Sequence, residues 1–190
     1  MNRIQEEILK RGKVLPGNVL KVNSFLNHQL EPSLLNDMAL QWYEMFKNEG
    51  ITKIVTIEAS GIALATLVGL AFNVPVVFGK KTFVSNMSNS YITKVYSYTK
   101  DQEFNVCIEK EFLKEGENIL IIDDFLANGN AILGLIDLVN QAKAYVVGIG
   151  VAIEKGFQQG GKLLRGLGYN LQSLAIIDSM DLIENKIKFK

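Results

Sequence analysis

Residues 119–131 read ILIIDDFLANGNA, and this stretch decides the fold. Four apolar residues suited to a buried strand run directly into two adjacent carboxylates, Asp123 and Asp124. A loop of small residues that contains Gly129 follows at once. Burying a charge at the end of a strand is costly unless the charge meets a partner there. The stretch therefore predicts a buried strand whose carboxyl end carries a ligand site.

The segments around this stretch alternate between strands and helices. Strands are predicted for the apolar runs KIVTI, VPVVF, NILIID and AYVVGIGVAIE, at residues 53–57, 74–78, 118–123 and 144–154. Helices are predicted for the apolar or amphipathic runs at residues 33–46, 62–72 and 131–142. Apolar strands that alternate with helices form a mostly parallel sheet covered on both faces. The sequence therefore predicts an α/β fold, a doubly wound and mostly parallel sheet that binds ligands at the carboxyl ends of its strands.

The rest of the chain is predicted to add appendages to this sheet. Residues 82–99 are rich in Ser, Thr, Asn and Tyr and alternate weakly, which favours a flexible hairpin that closes over a site as a lid. A flexible hairpin without that role is the alternative. Residues 104–113 are predicted to return as a strand. No linker-like stretch divides the sequence, so we expect a single domain over residues 1–190.

Composition excludes several classes of function. Twenty Lys and Arg residues balance twenty Asp and Glu residues, so no basic surface is expected to attract nucleic acid or anionic lipid. The apolar runs are too short to span a bilayer and the first residues lack the apolar core of a signal peptide, so we expect a cytoplasmic protein. The single cysteine, Cys107, excludes an internal disulfide. Together with the single histidine, His28, it predicts neither a metal cluster nor a Cys/His nucleophile.

Three predicted strand ends, at residues 58–62, 79–81 and 123–131, should meet at one edge of the sheet. In the last of them the loop enters a helix, so successive backbone N–H groups and the helix dipole can receive a phosphate. Gly129 lets the backbone approach that phosphate closely. The two carboxylates can accept hydrogen bonds from the vicinal hydroxyls of a sugar, or face a cation or metal. The three segments together predict a site for a phosphorylated sugar.

The stretch at residues 119–131 resembles the signature of the type I phosphoribosyltransferases, which bind 5-phosphoribosyl 1-pyrophosphate (PRPP). The resemblance implies that Asp123 and Asp124, the expected catalytic pair, address the ribose 2- and 3-hydroxyls. It implies that the following loop holds the 5-phosphate through Ala127, Asn128, Gly129, Asn130 and Ala131. It also implies that an earlier turn and a lysine hold the pyrophosphate with Mg2+, through Glu58, Ala59, Ser60, Gly61 and either Lys80 or Lys81. Mg2+ keeps several waters when it binds, so it should come mainly with the pyrophosphate and not through protein ligands.

The signature departs from the commonest form of the family, and the departure indicates one branch. Asn128, Asn130 and Ala131 stand where that form has Thr, Gly and Thr, so backbone and Asn amides should replace two hydroxyls that face the phosphate. The segment DDFLANG is similar to the xanthine branch, whose members serve bacterial purine salvage. Further segments carry the resemblance along nearly the whole chain, in this order: VLKVNSFLNHQLEP, GITKIVTIEASGIALA, VPVVFGKK, VYSYTK and GIGVAIEKGFQQG.

The xanthine branch implies which residues read the base. Xanthine carries carbonyls at positions 2 and 6, so its pocket needs hydrogen-bond donors, and Lys155 could supply one beside an aromatic face from Phe157. Without the resemblance, Lys155 would be a solvated charge and Phe157 a core residue. The resemblance also implies that residues 1–30 contain a hood over the base, with Leu20 as an apolar wall and Asn27 as a hydrogen-bonding contact. From the sequence alone, Leu20 would be core and Asn27 a helix cap.

The resemblance implies an enzyme that displaces pyrophosphate from PRPP with xanthine and forms xanthosine 5-monophosphate. Members of the branch act as homodimers, which implies the same assembly here. Three alternatives stay open: a relative that uses guanine, hypoxanthine or adenine, a PRPP-sensing regulator that binds DNA, and a nucleotide-binding module without transfer activity. The zero net charge and the short N-terminal helix disfavour the DNA-binding regulator.

Overall fold

The computed structural model of the chain describes residues 1–82, 89–97 and 102–190. The helices are α1 to α5, at Arg3–Arg11, Pro32–Phe46, Ser60–Phe72, Asn130–Gln141 and Gln159–Gly166, and a π-helical turn lies at Asn23–Asn27. The strands are β1 to β10, at Lys13–Leu15, Val19–Lys21, Lys53–Ile57, Val76–Thr82, Ser90–Ser97, Gln102–Glu109, Asn118–Leu126, Tyr145–Lys155, Leu171–Asp181 and Lys186–Phe189. In the described part of the chain, no helix has the length and apolar character that a membrane span requires.

Strands β3 to β10 form one sheet in the order β10-β9-β8-β7-β3-β4-β6-β5. The strands β9, β8, β7, β3 and β4 run parallel to one another. Strand β10 pairs antiparallel at one edge, and β6 and β5 extend the other edge antiparallel. All of β3 is buried, as expected for a parallel strand covered on both faces. The predicted α/β fold with a mostly parallel sheet is confirmed.

Helices cover both faces of the sheet because consecutive side chains of a strand point to opposite faces. On one face, Ile54 and Ile122 pack in a cluster with α2 and α3 that includes the fully buried Trp42. On the other face, Val55 and Ile121 pack with the apolar side of α4. Burying a large apolar side chain contributes about 1.5–3 kcal/mol. These two clusters therefore hold the helices on the sheet and fix the strand ends that carry the site.

The segment predicted to contain a hood, residues 1–30, includes the N-terminal hairpin β1–β2 and the π-helical turn, and we call residues 13–27 the hood. The backbone N–H of Val14 donates to Asn185 Oδ1 at 2.7 Å, which joins the hairpin to the turn between β9 and β10. Lys155 Nζ, at the carboxyl end of β8, donates to the carbonyl oxygen of Asn18 at 2.9 Å. These hydrogen bonds place the hood beside the carboxyl ends of the parallel strands.

Strand β7 ends at Leu126 and not at the predicted residue 123, and this difference positions the acidic pair. Strand β7 pairs with β3 only as far as Ile121, whereas its pairing with β8 continues to Leu126. Asp123 and Asp124 therefore lie within β7 but beyond its last residue paired with β3. The space above β3 is left to the turn that leads into α3.

The structure describes part of the segment predicted to be a lid, residues 82–99. Strand β4 continues through Thr82, and β5 pairs along its length with β6. Val95 of β5 is buried against α4, so closely that a Cβ on Gly134 would lie 2.5 Å from Val95 Cγ2. Residues 83–88 and 98–99 lie outside the described residues. The lid therefore stays a prediction, and its described strand is part of the sheet.

Candidate functional site

A cavity of about 230 Å³ lies at the carboxyl ends of β3, β4 and β7. Predicted site residues form most of its wall, namely Glu58, Ala59, Ser60, Gly61, Lys81, Asp123, Asp124 and Ala131. The remaining wall consists of Ile57, Val95, Tyr96 and Phe104. The three strand ends that the sequence predicted to converge therefore meet around one cavity.

The acidic pair, Asp123 and Asp124, lines this cavity, and burial raises the pKa of both carboxyl groups. Asp123 is 5% exposed, and its Oδ1 accepts a hydrogen bond from the backbone N–H of Asp124 at 2.9 Å. Burial and the neighbouring Asp124 raise the pKa of Asp123 well above its usual range. Burial also raises the pKa of Asp124, while Asp123, backbone N–H groups and the Asn27 side chain act to lower it. Burial therefore disfavours charge on both carboxyl groups, and hydroxyl groups of a ligand would supply the hydrogen bonds that water provides elsewhere.

The predicted phosphate loop joins β7 to α4. Gly129 precedes the helix with φ +93°, a conformation that glycine adopts without strain. Within the described residues no side chain caps this helix, so its first backbone N–H groups are available to an anion. The side chain of Asn130 is engaged elsewhere, since Asn130 Nδ2 donates to the carbonyl oxygen of Tyr96 at 3.0 Å. The loop therefore offers mainly backbone N–H groups, and Asn130 ties its helix to β5.

The structure separates the two candidate lysines, which are neighbours on β4 and so point to opposite faces. Lys81 lines the cavity, its Nζ lies 5.3 Å from the centroid of the Phe104 ring, and its backbone N–H donates to Glu58 Oε1 at 2.5 Å. Lys80 lines a different, mostly apolar cavity of about 290 Å³, where its Nζ lies 4.0 Å from Glu109. Lys81 is therefore the lysine that lines the same cavity as Asp123 and Asp124.

The turn between β3 and α3 brings a second helix start to the cavity. Glu58 and Ala59 form the turn, through a cis peptide bond, and Ser60 and Gly61 are the first residues of α3. A Cβ on Gly61 would lie 2.1 Å from Thr56 Oγ1 and 3.5 Å from Asp123 Oδ1. The turn thus packs directly against the acidic pair, and the positive end of the α3 dipole faces the same cavity.

The residues predicted to read the base lie around the hood. Leu20 is buried on β2, and Asn27, at the end of the π-helical turn, interacts with the Asp124 carboxylate. Burial lowers the pKa of Lys155, whose Nζ holds the hood turn. Phe157 is 38% exposed, so it is not a core residue. The structure thus places Asn27 beside the acidic pair and Lys155 under the hood.

The cavity wall formed by β5 and β6 was not predicted from the sequence, and it includes Val95, Tyr96 and Phe104. Their strands join the sheet through antiparallel pairing with β4, which no local pattern in residues 90–109 specifies. One signal was present, because Val95 and Tyr96 belong to the segment VYSYTK that carries part of the family resemblance.

Comparison with known proteins identifies the class of protein that this fold and site define. Residues 21–165 match the phosphoribosyl transferase domain, and the chain belongs to that family. Its curated relatives include the xanthine phosphoribosyltransferases of Bifidobacterium adolescentis, 52% identical, and Clostridioides difficile, 50% identical, each over 100% of both chains. These relatives confirm the resemblance to the xanthine branch.

Solved structures of the same fold are more distant in sequence. The APRTase from Giardia lamblia complexed with 9-deazaadenine has a TM-score of 0.77 at 21% identity, over 93% of this chain and 98% of that one. The adenine phosphoribosyltransferase from Rhodothermus marinus has a TM-score of 0.73 at 24% identity, over 92% and 99%. At these identities the likeness concerns the fold alone.

Proposed function

We propose that this chain transfers the 5-phosphoribosyl group of PRPP to xanthine, releasing pyrophosphate and xanthosine 5-monophosphate. The observation that carries the proposal is the meeting of the acidic pair, the phosphate loop and Lys81 around one cavity. The relatives that share half of its residues over their full length are xanthine phosphoribosyltransferases.

In this proposal, PRPP spans the cavity from the phosphate loop to the turn at Glu58. The backbone N–H groups at Ala127, Asn128, Gly129, Asn130 and Ala131 bind the 5-phosphate, helped by the dipole of α4. Asp123 and Asp124 accept hydrogen bonds from the ribose hydroxyls. Lys81 and the start of α3 hold the pyrophosphate, for which a cation and a helix dipole are suited.

Mg2+ fits this site as a companion of the pyrophosphate. Within the described residues no group of three or more His, Cys, Asp or Glu side chains is arranged to hold a metal ion. In this proposal Mg2+ is bound mainly through phosphate oxygens and water, which are its preferred ligands beside a phosphorylated substrate. When bound, Mg2+ would offset negative charge on the departing pyrophosphate.

The chain's own residues act by positioning and by electrostatics. A ring nitrogen of xanthine forms a bond to the anomeric carbon while the bond to pyrophosphate breaks, and pyrophosphate leaves with the bonding electrons. The imidazole proton of the base is released to solvent. The transition state resembles an oxocarbenium ion, by analogy with other glycosyl transfers. Asp123 and Asp124 hold the ribose in the orientation for this displacement. No protein nucleophile is required.

Base selection is assigned to the hood and the end of β8. Lys155 is a cationic donor that suits a carbonyl of xanthine, whereas the exocyclic amine of adenine is itself a donor. Its partly buried position strengthens such a hydrogen bond. Phe157 would stack on the base, Leu20 would form an apolar wall, and Asn27 would contact both the base and the acidic pair.

The proposal includes a cytoplasmic location and a homodimeric assembly, which the family resemblance implies. The single thiol, Cys107, is free and buried, which suits a reducing compartment. Sedimentation equilibrium tests the assembly. A homodimer has twice the 21.1 kDa mass of one chain, and a mass of one chain at micromolar concentration would contradict it.

An ultraviolet assay tests the activity. Purified protein, PRPP and Mg2+ are mixed with xanthine, guanine, hypoxanthine or adenine in separate reactions, and nucleotide formation is followed. We expect the highest rate with xanthine and a large loss in Asp124→Asn. Faster turnover of adenine would contradict the assigned base. If PRPP raised the melting temperature but no base were turned over, a PRPP-binding regulator would be favoured.

A further inference from the structure

The phosphate loop rests on the start of α5, a segment to which no role has been given so far. The backbone N–H of Gly160 donates to the carbonyl oxygen of Ala127 at 3.0 Å. Gly160 is the second residue of α5, and its N–H is one of the helix-start donors that lack a partner within the helix. The loop carbonyl therefore supplies the partner that this helix start needs.

The contact at Gly160 leaves no room for a side chain. A Cβ on Gly160 would lie 2.5 Å from the Ala127 carbonyl oxygen, 2.7 Å from Leu126 Cδ1 and 2.8 Å from the backbone nitrogen of Gly129. Two of these atoms belong to the backbone of the phosphate loop, which cannot rotate away as the end of a flexible side chain can. In the other direction, a Cβ on Gly129 would lie 3.3 Å from Gly160 Cα. The loop and the helix start thus fit together because both positions are glycine.

The hydrogen bond from Gly160 also sets the direction of a phosphate donor. The peptide group is planar and trans, so the C=O of Ala127 and the N–H of Asn128 point in opposite directions. With the C=O of Ala127 held toward α5, the N–H of Asn128 points away from α5, as a donor for a ligand. A tilt of this peptide would turn that donor away from the phosphate.

An ion pair between Arg165 and the buried carboxylate of Glu154 holds α5 in place for this contact. Arg165 donates from Nη1 and Nη2 to the two carboxylate oxygens of Glu154, at 2.8 and 2.7 Å, and Ser173 also donates to Glu154. A Cβ on Gly161 would lie 1.9 Å from Glu154 Oε1. Helix α5 is thus fixed between the phosphate loop on one side and the end of β8 on the other.

We propose that Gly160 is a positioning residue for the 5-phosphate site, aiming the Asn128 N–H through its hydrogen bond to the Ala127 carbonyl. The inference rests on the proposed function and adds a residue outside the loop that touches the ligand. It assigns the segment after Lys155 to phosphate binding, in addition to any role in reading the base.

Gly160→Ala tests this inference, with Gly166→Ala as a matched control in the same helix. No heavy atom lies within 4 Å of a Cβ built on Gly166, so that substitution should be neutral. Calorimetric titrations measure the binding of ribose 5-phosphate and, separately, of pyrophosphate with Mg2+. Displacing a positioned group by about 1 Å can cost on the order of a hundredfold, so we expect Gly160→Ala to weaken ribose 5-phosphate at least about tenfold. Pyrophosphate binding and the KM for xanthine should change less than about twofold.

Equal weakening of both ligands would indicate a general structural role and would overturn the inference, as would unchanged binding of ribose 5-phosphate. If the wild type bound neither ligand and made no nucleotide, the proposed function itself would fail, and this inference with it. If Gly160→Ala does not fold, hydrogen exchange of the wild type decides the question. The Gly160 amide should exchange more slowly when ribose 5-phosphate binds, and an unchanged rate would overturn the inference.

Discussion

Arg165→Met tests the buried ion pair that anchors α5, and the structure gives the expected cost. The Glu154 side chain is 4% exposed, whereas the Arg165 side chain is 41% exposed. Removing one member of a buried pair and leaving the other charged costs about 3–5 kcal/mol. Because water reaches Arg165 and Ser173 still donates to Glu154, we expect the lower end of that range, about 3 kcal/mol.

The reverse substitution should be much milder. In Glu154→Gln the guanidinium of Arg165 can turn to water, so the cost should be about 1 kcal/mol, close to that of an ordinary hydrogen bond. The double variant should resemble Glu154→Gln, because the buried charge is absent from both. The asymmetry follows from the difference in exposure between the two side chains.

Urea unfolding at neutral pH and fixed protein concentration measures these costs. A loss of about 3 kcal/mol corresponds to a fall of about 1 M in the urea midpoint. Arg165→Met within about 0.5 kcal/mol of the wild type would refute the reasoning, since that is the range of ordinary surface substitutions. A double variant as unstable as Arg165→Met would refute it as well.

The pH dependence supplies a second check on the same pair. Burial acts to raise the pKa of Glu154, but Arg165 and Ser173 outweigh it and the pKa lies below its usual range. The wild type therefore gains stability above the unfolded-state pKa, about 4.3, and loses it as the pH falls through the lower folded-state value. In Arg165→Met, burial dominates and raises the pKa, so acid relieves the penalty. The stability difference between the two proteins should shrink on acidification, and a growing difference would contradict this account.

Three further predictions test the site. Burial and Asp124 raise the pKa of Asp123, so wild-type stability falls as the pH rises above the unfolded-state pKa of about 4. In urea unfolding, the stability that Asp123→Asn gains on the wild type should therefore grow as the pH rises above that value. The same variant should lose PRPP use, and full activity would contradict the assigned role. Lys81→Ala should raise the KM for PRPP about tenfold by loss of a charged contact, whereas Lys80→Ala should change it less than about twofold; steady-state kinetics with the effects reversed would exchange the two assignments. Lys155→Gln should raise the KM for xanthine about tenfold without lowering any rate with adenine, and a xanthine KM equal to that of the wild type would exclude Lys155 from the base site.

The sheet and the loop at its edge could be predicted from local sequence because each has a local physical cause. Residues 53–57 form β3 residue for residue, and the predicted helix at residues 33–46 begins one residue earlier, at Pro32. Apolar runs of these lengths have few other ways to bury their side chains. The acidic pair and the glycine loop stand next to each other in the chain, so their proximity required no tertiary information.

Contacts between distant segments were beyond the reach of such patterns. Whether Lys80 or Lys81 faces the cavity depends on the register of β4 with β6, where Lys81 pairs with Val106. The use of the Asn130 side chain depends on Tyr96, which lies 34 residues earlier in the chain. From the sequence, the Asn130 amide was predicted to face the phosphate. In the structure it donates to the carbonyl oxygen of Tyr96 on β5.

The C-terminal part of the chain shows the same limit. No strand or helix was predicted beyond residue 157, yet β9 and β10 complete the sheet and α5 supports the loop. The pair of glycines at Gly160 and Gly161 looks unfavourable for a helix, because glycine lacks helix propensity. In the folded chain, a side chain at Gly160 would collide with the phosphate loop and one at Gly161 would collide with Glu154.

A competition assay tests the central claim most directly. Equal concentrations of xanthine, guanine, hypoxanthine and adenine compete for limiting PRPP and Mg2+ in one reaction, and the nucleotides are separated and quantified. The product ratios report the ratios of kcat/KM without separate rate measurements. We predict that xanthosine 5-monophosphate is the main product, with little or no adenosine 5-monophosphate. An excess of any other nucleotide, or no nucleotide at all, would contradict the account.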